Sequence, residues 1–143
     1  MGSPTIDKPL SNLPLALTSF IGRKRELAEV KSLLKGTRLL TLTGPGGCGK
    51  TRLALAAAAA LLPEFDDGVW LAELAALNDP TLVPQAVAVA VGLREWTTAT
   101  LTQALSEFLH IKHLLLILDN CEHLIDASAQ LAEQLLRVCP DLK

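Results

Sequence analysis

Residues 39–51 read Leu-Leu-Thr-Leu-Thr-Gly-Pro-Gly-Gly-Cys-Gly-Lys-Thr, and this stretch decides the fold. The apolar residues at its start predict a buried strand over residues 38–43, and an alanine-rich segment with high helix propensity follows from Lys50. Between them, residues 44–51 match the pattern G-x-x-x-x-G-K-[ST] of the Walker A phosphate-binding loop. Strand, loop and helix occur in the order that this loop requires, so the sequence predicts a phosphate-binding site.

Each position of this loop has a physical task. Its glycines let backbone N–H groups close around phosphate oxygens, and the following helix points its positive end at the same anion. Lys50 can reach the β and γ phosphates of a nucleotide, while the Thr51 hydroxyl can ligate Mg²⁺. The alternative is a glycine-rich turn that binds nothing. The predicted nucleotide contacts in this stretch are Gly44, Pro45, Gly46, Gly47, Cys48, Gly49, Lys50, Thr51 and Arg52.

A second apolar run, residues 114–118, ends at Asp119 and predicts the other half of the site. Ligands in open α/β sheets bind at the carboxyl ends of the strands, so we expect Asp119 and Thr51 to hold Mg²⁺ together, directly or through a water. Asn120 can orient a water but cannot accept its proton, whereas Glu122 is a carboxylate within possible reach. Asp119, Asn120 and Glu122 are therefore the candidate catalytic residues, and we expect hydrolysis to be slow.

The predicted elements alternate along the chain, and this alternation indicates an α/β fold with a parallel sheet and helices on both faces. Apolar periodicity predicts the helices and continuous apolar runs predict the strands. In chain order, they are a helix over residues 21–34, a strand over 38–43, a helix over 50–62, a strand over 69–74, helices over 84–91 and 100–110, a strand over 114–118 and a helix over 124–139.

Composition limits the function classes. The 143 residues are 50% hydrophobic, which is enough for one domain with a buried sheet. A net charge of −2 gives no electrostatic case for nucleic-acid contact by this segment. The sequence has no apolar run long enough to cross a membrane and no signal-peptide pattern at its start, so we expect a cytoplasmic protein.

The cysteines and histidines give no sign of a disulfide or a metal site. Three cysteines, at positions 48, 121 and 139, are odd in number and lack the close spacing of a disulfide or zinc framework. His110, His113, Cys121 and His123 lie within a short stretch, but the predicted strand over residues 114–118 separates the two halves. We therefore interpret the cysteines as reduced side chains.

Three segments together carry a resemblance to a known family: Phe-Ile-Gly-Arg-Lys-Arg-Glu at residues 20–26, the loop at 44–51, and Leu-Leu-Leu-Ile-Leu-Asp-Asn-Cys-Glu-His at 114–123. From about Asn12 onward the chain resembles the STAND class of signal-transduction P-loop ATPases. More narrowly, it is similar to the NB-ARC or AAA-type nucleotide-binding domain of LuxR and AfsR/SARP-like bacterial transcriptional regulators. Three prolines and several polar residues predict an extended lead-in segment at residues 1–19. The resemblance implies the N-terminal part of a P-loop domain at 20–143.

The resemblance also implies functional contacts beyond the loop. It places Ile21, Gly22 and Arg23 beside the adenine and ribose; alternatively, Phe20 and Ile21 only staple the helix start. It further implies a switch, in which ADP holds a closed monomer and ATP favours an open, self-associating form. Any nucleic-acid contact would come from other segments.

Members of the family continue beyond the position of Lys143 into a further strand. The resemblance places that strand between the strands that end at Thr43 and Asp119, so we expect a sheet that is incomplete at the C-terminus. The two central strands would then either keep unpaired edges or close up.

Two other functions stay open at this point. One is a dedicated P-loop ATPase or small-molecule kinase, although the arginines are scattered rather than gathered into a kinase-like lid. The other is a non-catalytic interaction remnant that no longer binds nucleotide.

Overall fold

The computed structural model describes residues 11–13, 24–43, 49–97 and 99–143. Its helices and strands follow the predicted order, and every predicted helix is confirmed within a few residues of its bounds. They are α1 (Lys24–Gly36), α2 (Lys50–Leu61), β1 (Val69–Glu73), α3 (Val83–Val91), α4 (Leu101–Leu109), β2 (Leu115–Asp119) and α5 (Ile125–Val138). Short 3₁₀ turns lie at Leu62–Glu64, Pro80–Leu82 and Glu122–Leu124.

The ends of these helices follow local chemistry. Thr100 precedes α4, and its hydroxyl accepts a hydrogen bond from the Gln103 N–H at 3.1 Å, which satisfies one of the free donors of the first turn. Gly92 ends α3 in the left-handed conformation at φ 88°, where a residue without a Cβ has the lowest cost. Thr100 and Gly92, both readable from the sequence, therefore mark where α4 begins and where α3 ends.

The sheet consists of two parallel strands with helices on both faces. β1 and β2 pair in the register Val69 with Leu115 through Glu73 with Asp119. On one face Val69 and Leu115 are buried against Ala58 and Leu61 of α2. On the other, Leu74 lies in a larger cluster with α3, α4 and α5. The predicted α/β class, with a parallel sheet covered on both sides, is confirmed, although the described sheet has two strands.

The prediction of a strand at residues 38–43 is wrong for the described structure. The segment forms no strand, and no described backbone hydrogen bond pairs it with β2. Leu39 within it is 60% exposed. A strand exists only where a neighbouring backbone accepts its hydrogen bonds, and a groove separates this segment from β2.

That groove continues the plane of the sheet. It has a volume of about 480 Å³ and lies between the edge of β2, the segment at residues 38–43, α2 and α5. The chain end enters it: the Leu116 N–H donates to the Lys143 carbonyl at 2.8 Å and the Lys143 N–H donates to the Leu114 carbonyl at 3.0 Å. Ser128 of α5 lines the groove, and its buried hydroxyl has no hydrogen-bond partner among the described residues. The two predicted central strands have therefore not closed up.

The remaining described residues add little to the site. The Asn12 side chain binds the backbone of Leu71 on the edge of β1 away from β2, where Ser11 also bridges Val69. The Asn12 amide oxygen accepts a hydrogen bond from the Leu71 N–H at 2.6 Å. The division between residues 19 and 20 stays a prediction. Cys121 and Cys139 are free thiols. Among the described residues, no three histidine, cysteine, aspartate or glutamate side chains are grouped so that they could hold a metal ion. None of the described helices combines the length and the apolarity that a bilayer crossing needs.

Candidate functional site

The start of α2 and the end of β2 meet at one point. Thr51 lies in the first turn of α2, and its hydroxyl donates to Oδ1 of Asp119 at 3.1 Å across a sequence separation of 68 residues. Asp119 is the last residue of β2. Hydroxyl and carboxylate oxygens are hard ligands of the type that Mg²⁺ prefers, so this pair suits the cation that the sequence predicts here.

The residue before α2 has the conformation that a phosphate-binding turn uses. Gly49 is at φ 83° and ψ 20°, in the left-handed region. At this position a residue with a Cβ costs about 1–2 kcal/mol. The first turn of α2, with its free N–H groups and positive end, comes directly after this glycine, in the order that the predicted loop requires.

Lys50 faces an anion within the protein itself. Its Nζ lies 3.3 Å from Oε1 of Glu122, and the Lys50 side chain is 22% exposed compared with 64% for Glu122. The pKa of the Glu122 carboxyl is lowered, first by a hydrogen bond from its own backbone N–H and then by Lys50. The structure thus pairs the predicted phosphate-binding cation with the predicted catalytic carboxylate.

Asn120 and Glu73 complete the edge of the sheet. Asn120 has a φ of 57°, in the left-handed region that asparagine tolerates better than most residues with a side chain. Its Nδ2 lies 3.4 Å from Oε1 of Glu73 and 3.3 Å from Oδ2 of Asp119. Sequence reasoning missed Glu73. The signal available was an acidic residue close to the carboxyl end of the predicted strand over residues 69–74, where ligands of parallel sheets bind.

Several predicted residues are not brought to this point by the described structure. The predicted adenine contacts Ile21, Gly22 and Arg23 and the loop residues 44–48 lie outside the described residues. Arg52 is exposed on the first turn of α2. Cys121, next to the site, is partly buried, and burial followed by the charge of Glu122 raises the pKa of its thiol. A neutral thiol at this position adds no charge to the site.

The chain belongs to a known family of nucleotide-binding domains. Residues 33–142 match the family model described as "AAA domain". This match includes both halves of the site, Thr51 on α2 and Asp119 on β2. Domains of this type are P-loop ATPases that typically bind nucleotide together with Mg²⁺.

Similar proteins occur in mycobacteria. An uncharacterised protein of Mycobacterium tuberculosis and one of Mycobacterium bovis are each 44% identical over 126 residues, which is 88% of this chain and 32% of their own length. A further M. tuberculosis protein, provisionally named an HTH-type transcriptional regulator, is 42% identical over 113 residues, 79% of this chain and 13% of its length. The chain thus spans about a third of the length of the first of these relatives. No solved structure matches the chain.

Proposed function

We propose that this chain binds ATP or ADP with Mg²⁺ and acts as the nucleotide-dependent switch of a STAND-type bacterial transcriptional regulator. The observation that carries the proposal is the hydrogen bond of 3.1 Å between Thr51 and Asp119. Two residues that a magnesium-nucleotide site needs are thereby adjacent at the positive end of α2. The AAA-domain match supports the same reading.

Each described residue has a distinct task in this proposal. Lys50 leaves Glu122 and binds the β and γ phosphates, because a phosphate carries more negative charge than a single carboxylate. Thr51 and Asp119 hold Mg²⁺ with their oxygens, directly or through water. The predicted loop at residues 44–48 supplies backbone N–H groups to the phosphates. Bound Mg²⁺ would neutralise the phosphate charge that develops during hydrolysis.

The regulatory part of the proposal rests on the relatives. One of them is provisionally named an HTH-type transcriptional regulator, and the matching segment is only a small share of its length. A module of this kind would report its nucleotide state to output regions elsewhere in a longer cytoplasmic protein, with self-association through the nucleotide domain. The chain's own net charge of −2 fits a segment that makes no direct nucleic-acid contact.

Slow turnover follows from the residue after Asp119. Asn120 presents an amide at the position directly after Asp119, where a carboxylate would accept a proton from water. A slow ATPase can hold one nucleotide state long enough to signal. A dedicated ATPase or kinase would need faster chemistry.

The direct test is calorimetric binding of ATP and ADP in the presence of Mg²⁺ to the wild type, to Lys50→Ala and to the control Lys112→Ala. Lys112 precedes β2, at the end of the strand opposite Asp119. We expect Lys50→Ala to weaken binding about tenfold or more, because it removes a charged hydrogen bond to phosphate, and the control to leave it unchanged. Equal affinity in wild type and Lys50→Ala would show that the phosphate site is misassigned.

A turnover measurement on the same proteins separates the remaining functions. A rate above about 1 s⁻¹ is ordinary for a dedicated enzyme and would favour that alternative over a switch. Complete absence of binding to either nucleotide would favour the interaction remnant.

A further inference from the structure

Glu73 stands beside Asp119 at the nucleotide end of the sheet. The two residues are partners in the parallel register of β1 and β2. Partners in a parallel pair direct their side chains to the same face, since side chains alternate with a period of two. Ile117, two residues before Asp119, packs toward α2, and Thr51 of α2 reaches Asp119 on this side. The Glu73 carboxylate therefore belongs to the face of the sheet that carries the candidate site.

Asn120 fixes the position of Glu73 relative to this site. Its amide nitrogen lies between the two carboxylates, 3.4 Å from Oε1 of Glu73 and 3.3 Å from Oδ2 of Asp119. A neutral donor placed between two like charges satisfies an oxygen of each and reduces their repulsion. The left-handed backbone of Asn120, at φ 57°, turns the side chain toward β1 at the point where β2 ends. Asn120 thus acts as a positioning residue.

Of the three carboxylates near this edge, Glu73 is the one that contacts neither Thr51 nor Lys50 in the described structure. Asp119 accepts the Thr51 hydroxyl and is the predicted magnesium ligand. Glu122 is paired with Lys50 in this structure; it becomes the competing base once Lys50 moves to phosphate, and the variant Glu122→Gln tests it. Glu73 is exposed, and in the described part of the chain no cation pairs with it. A general base needs a carboxylate that a metal or lysine has not already taken.

We propose that Glu73 is the general base of ATP hydrolysis at this site, which rests on the proposed function above. In this step the oxygen of a water attacks the γ-phosphorus while one of its protons passes to a carboxylate oxygen of Glu73. The bond between the γ-phosphorus and the bridging oxygen breaks, and its electron pair stays on the β-phosphate of ADP. Inorganic phosphate is the second product, and Glu73 later returns the proton to solvent.

The test uses single-turnover hydrolysis of γ-labelled ATP by the full chain as wild type, Glu73→Gln, Glu122→Gln and Glu107→Gln. Glu107 is an exposed glutamate on α4, outside the site, and serves as the matched control. We expect Glu73→Gln to slow hydrolysis about 10- to 100-fold while ATP affinity stays within about twofold, because general-base assistance acts on the chemical step. The control should retain the wild-type rate. A thermal unfolding scan checks that the exposed substitutions leave the fold intact.

Three outcomes would overturn the assignment. They are a wild-type rate in Glu73→Gln, loss of hydrolysis in Glu122→Gln alone, and a wild type that binds ATP without any turnover. Failure of the wild type to bind ATP is a different result, since it would refute the proposed function itself and remove the reaction that Glu73 is assigned to assist.

Discussion

The two edges of β2 differ although they belong to one strand. One edge pairs with β1 over five consecutive residues, from Leu115 to Asp119. Within the described residues, the other edge pairs near its start with Leu142 and Lys143 and then borders a groove of about 480 Å³. Both edges share the same apolar sequence. The comparison teaches that an apolar run specifies burial on its faces, while pairing along its edges depends on which backbone is present beside it.

The burial of side chains also differs between the helices next to β1 and the segment across the groove. On the β1 side, Leu74, Leu105 and Leu109 are fully buried in the largest described cluster of buried side chains. On the groove side, the cluster that joins α1 and α2 is small, and Leu39 is largely exposed. The helices α3 and α4 next to β1 therefore contribute fully buried apolar side chains that the segment at residues 38–43 does not.

The largest expected contrast comes from truncating one leucine on each side. Leu109→Ala should lower the free energy of unfolding by about 2–5 kcal/mol, because it leaves a cavity at a fully buried position. Leu39→Ala should change it by less than about 0.5 kcal/mol, because this side chain is 60% exposed. Urea unfolding followed by circular dichroism measures both. Similar losses in the two variants would mean that the groove side is packed as firmly as the β1 side.

A smaller effect is expected from adding a polypeptide neighbour to the groove edge of β2. Six residues rich in valine and threonine, appended after Lys143, would extend the pairing from the single bridge between Leu142 and Leu114 along β2. They should raise the free energy of unfolding by about 1–2 kcal/mol by covering apolar groove surface and pairing the edge of β2. They should also reduce self-association through that edge.

The control for this extension is a glycine-serine tail of equal length, which lacks side chains that fill the groove. Thermal unfolding and sedimentation velocity compare the two extended chains with the chain of 143 residues. Equal stability and equal association in all three would show that the edge of β2 needs no neighbour.

The last comparison concerns two glycines at helix ends. Gly92 ends α3, next to β1, and Gly36 ends α1, which borders the groove. Gly92 has a φ of 88°, so Gly92→Ala should destabilise the fold by about 1–2 kcal/mol although no atom lies within 4 Å of the added Cβ. Gly36, the last residue of α1, also has open space around it but no positive φ, so Gly36→Ala should stabilise by up to about 1 kcal/mol. Chemical denaturation should give opposite signs. The same sign in both would contradict a purely conformational explanation.

The sequence was sufficient wherever local chemistry decides the outcome. Periodicity and caps located the helices. Thr51 and Asp119 lie within hydrogen-bond distance at one end of the sheet, while their roles in binding stay a prediction. Sequence reasoning failed at residues 38–43, because an apolar run carries no information about whether a partner strand lies beside it. It missed Glu73, whose position beside Asp119 depends on the register between two strands distant in sequence.

Ser128 places a polar group without a described partner in the wall of the open groove. Its buried hydroxyl lacks a partner among the described residues, and a buried polar group in this state costs about 1–3 kcal/mol. An occupant that offered a hydrogen-bond partner at that depth would recover this cost. A detergent tail or acyl chain of matching volume would leave it in place.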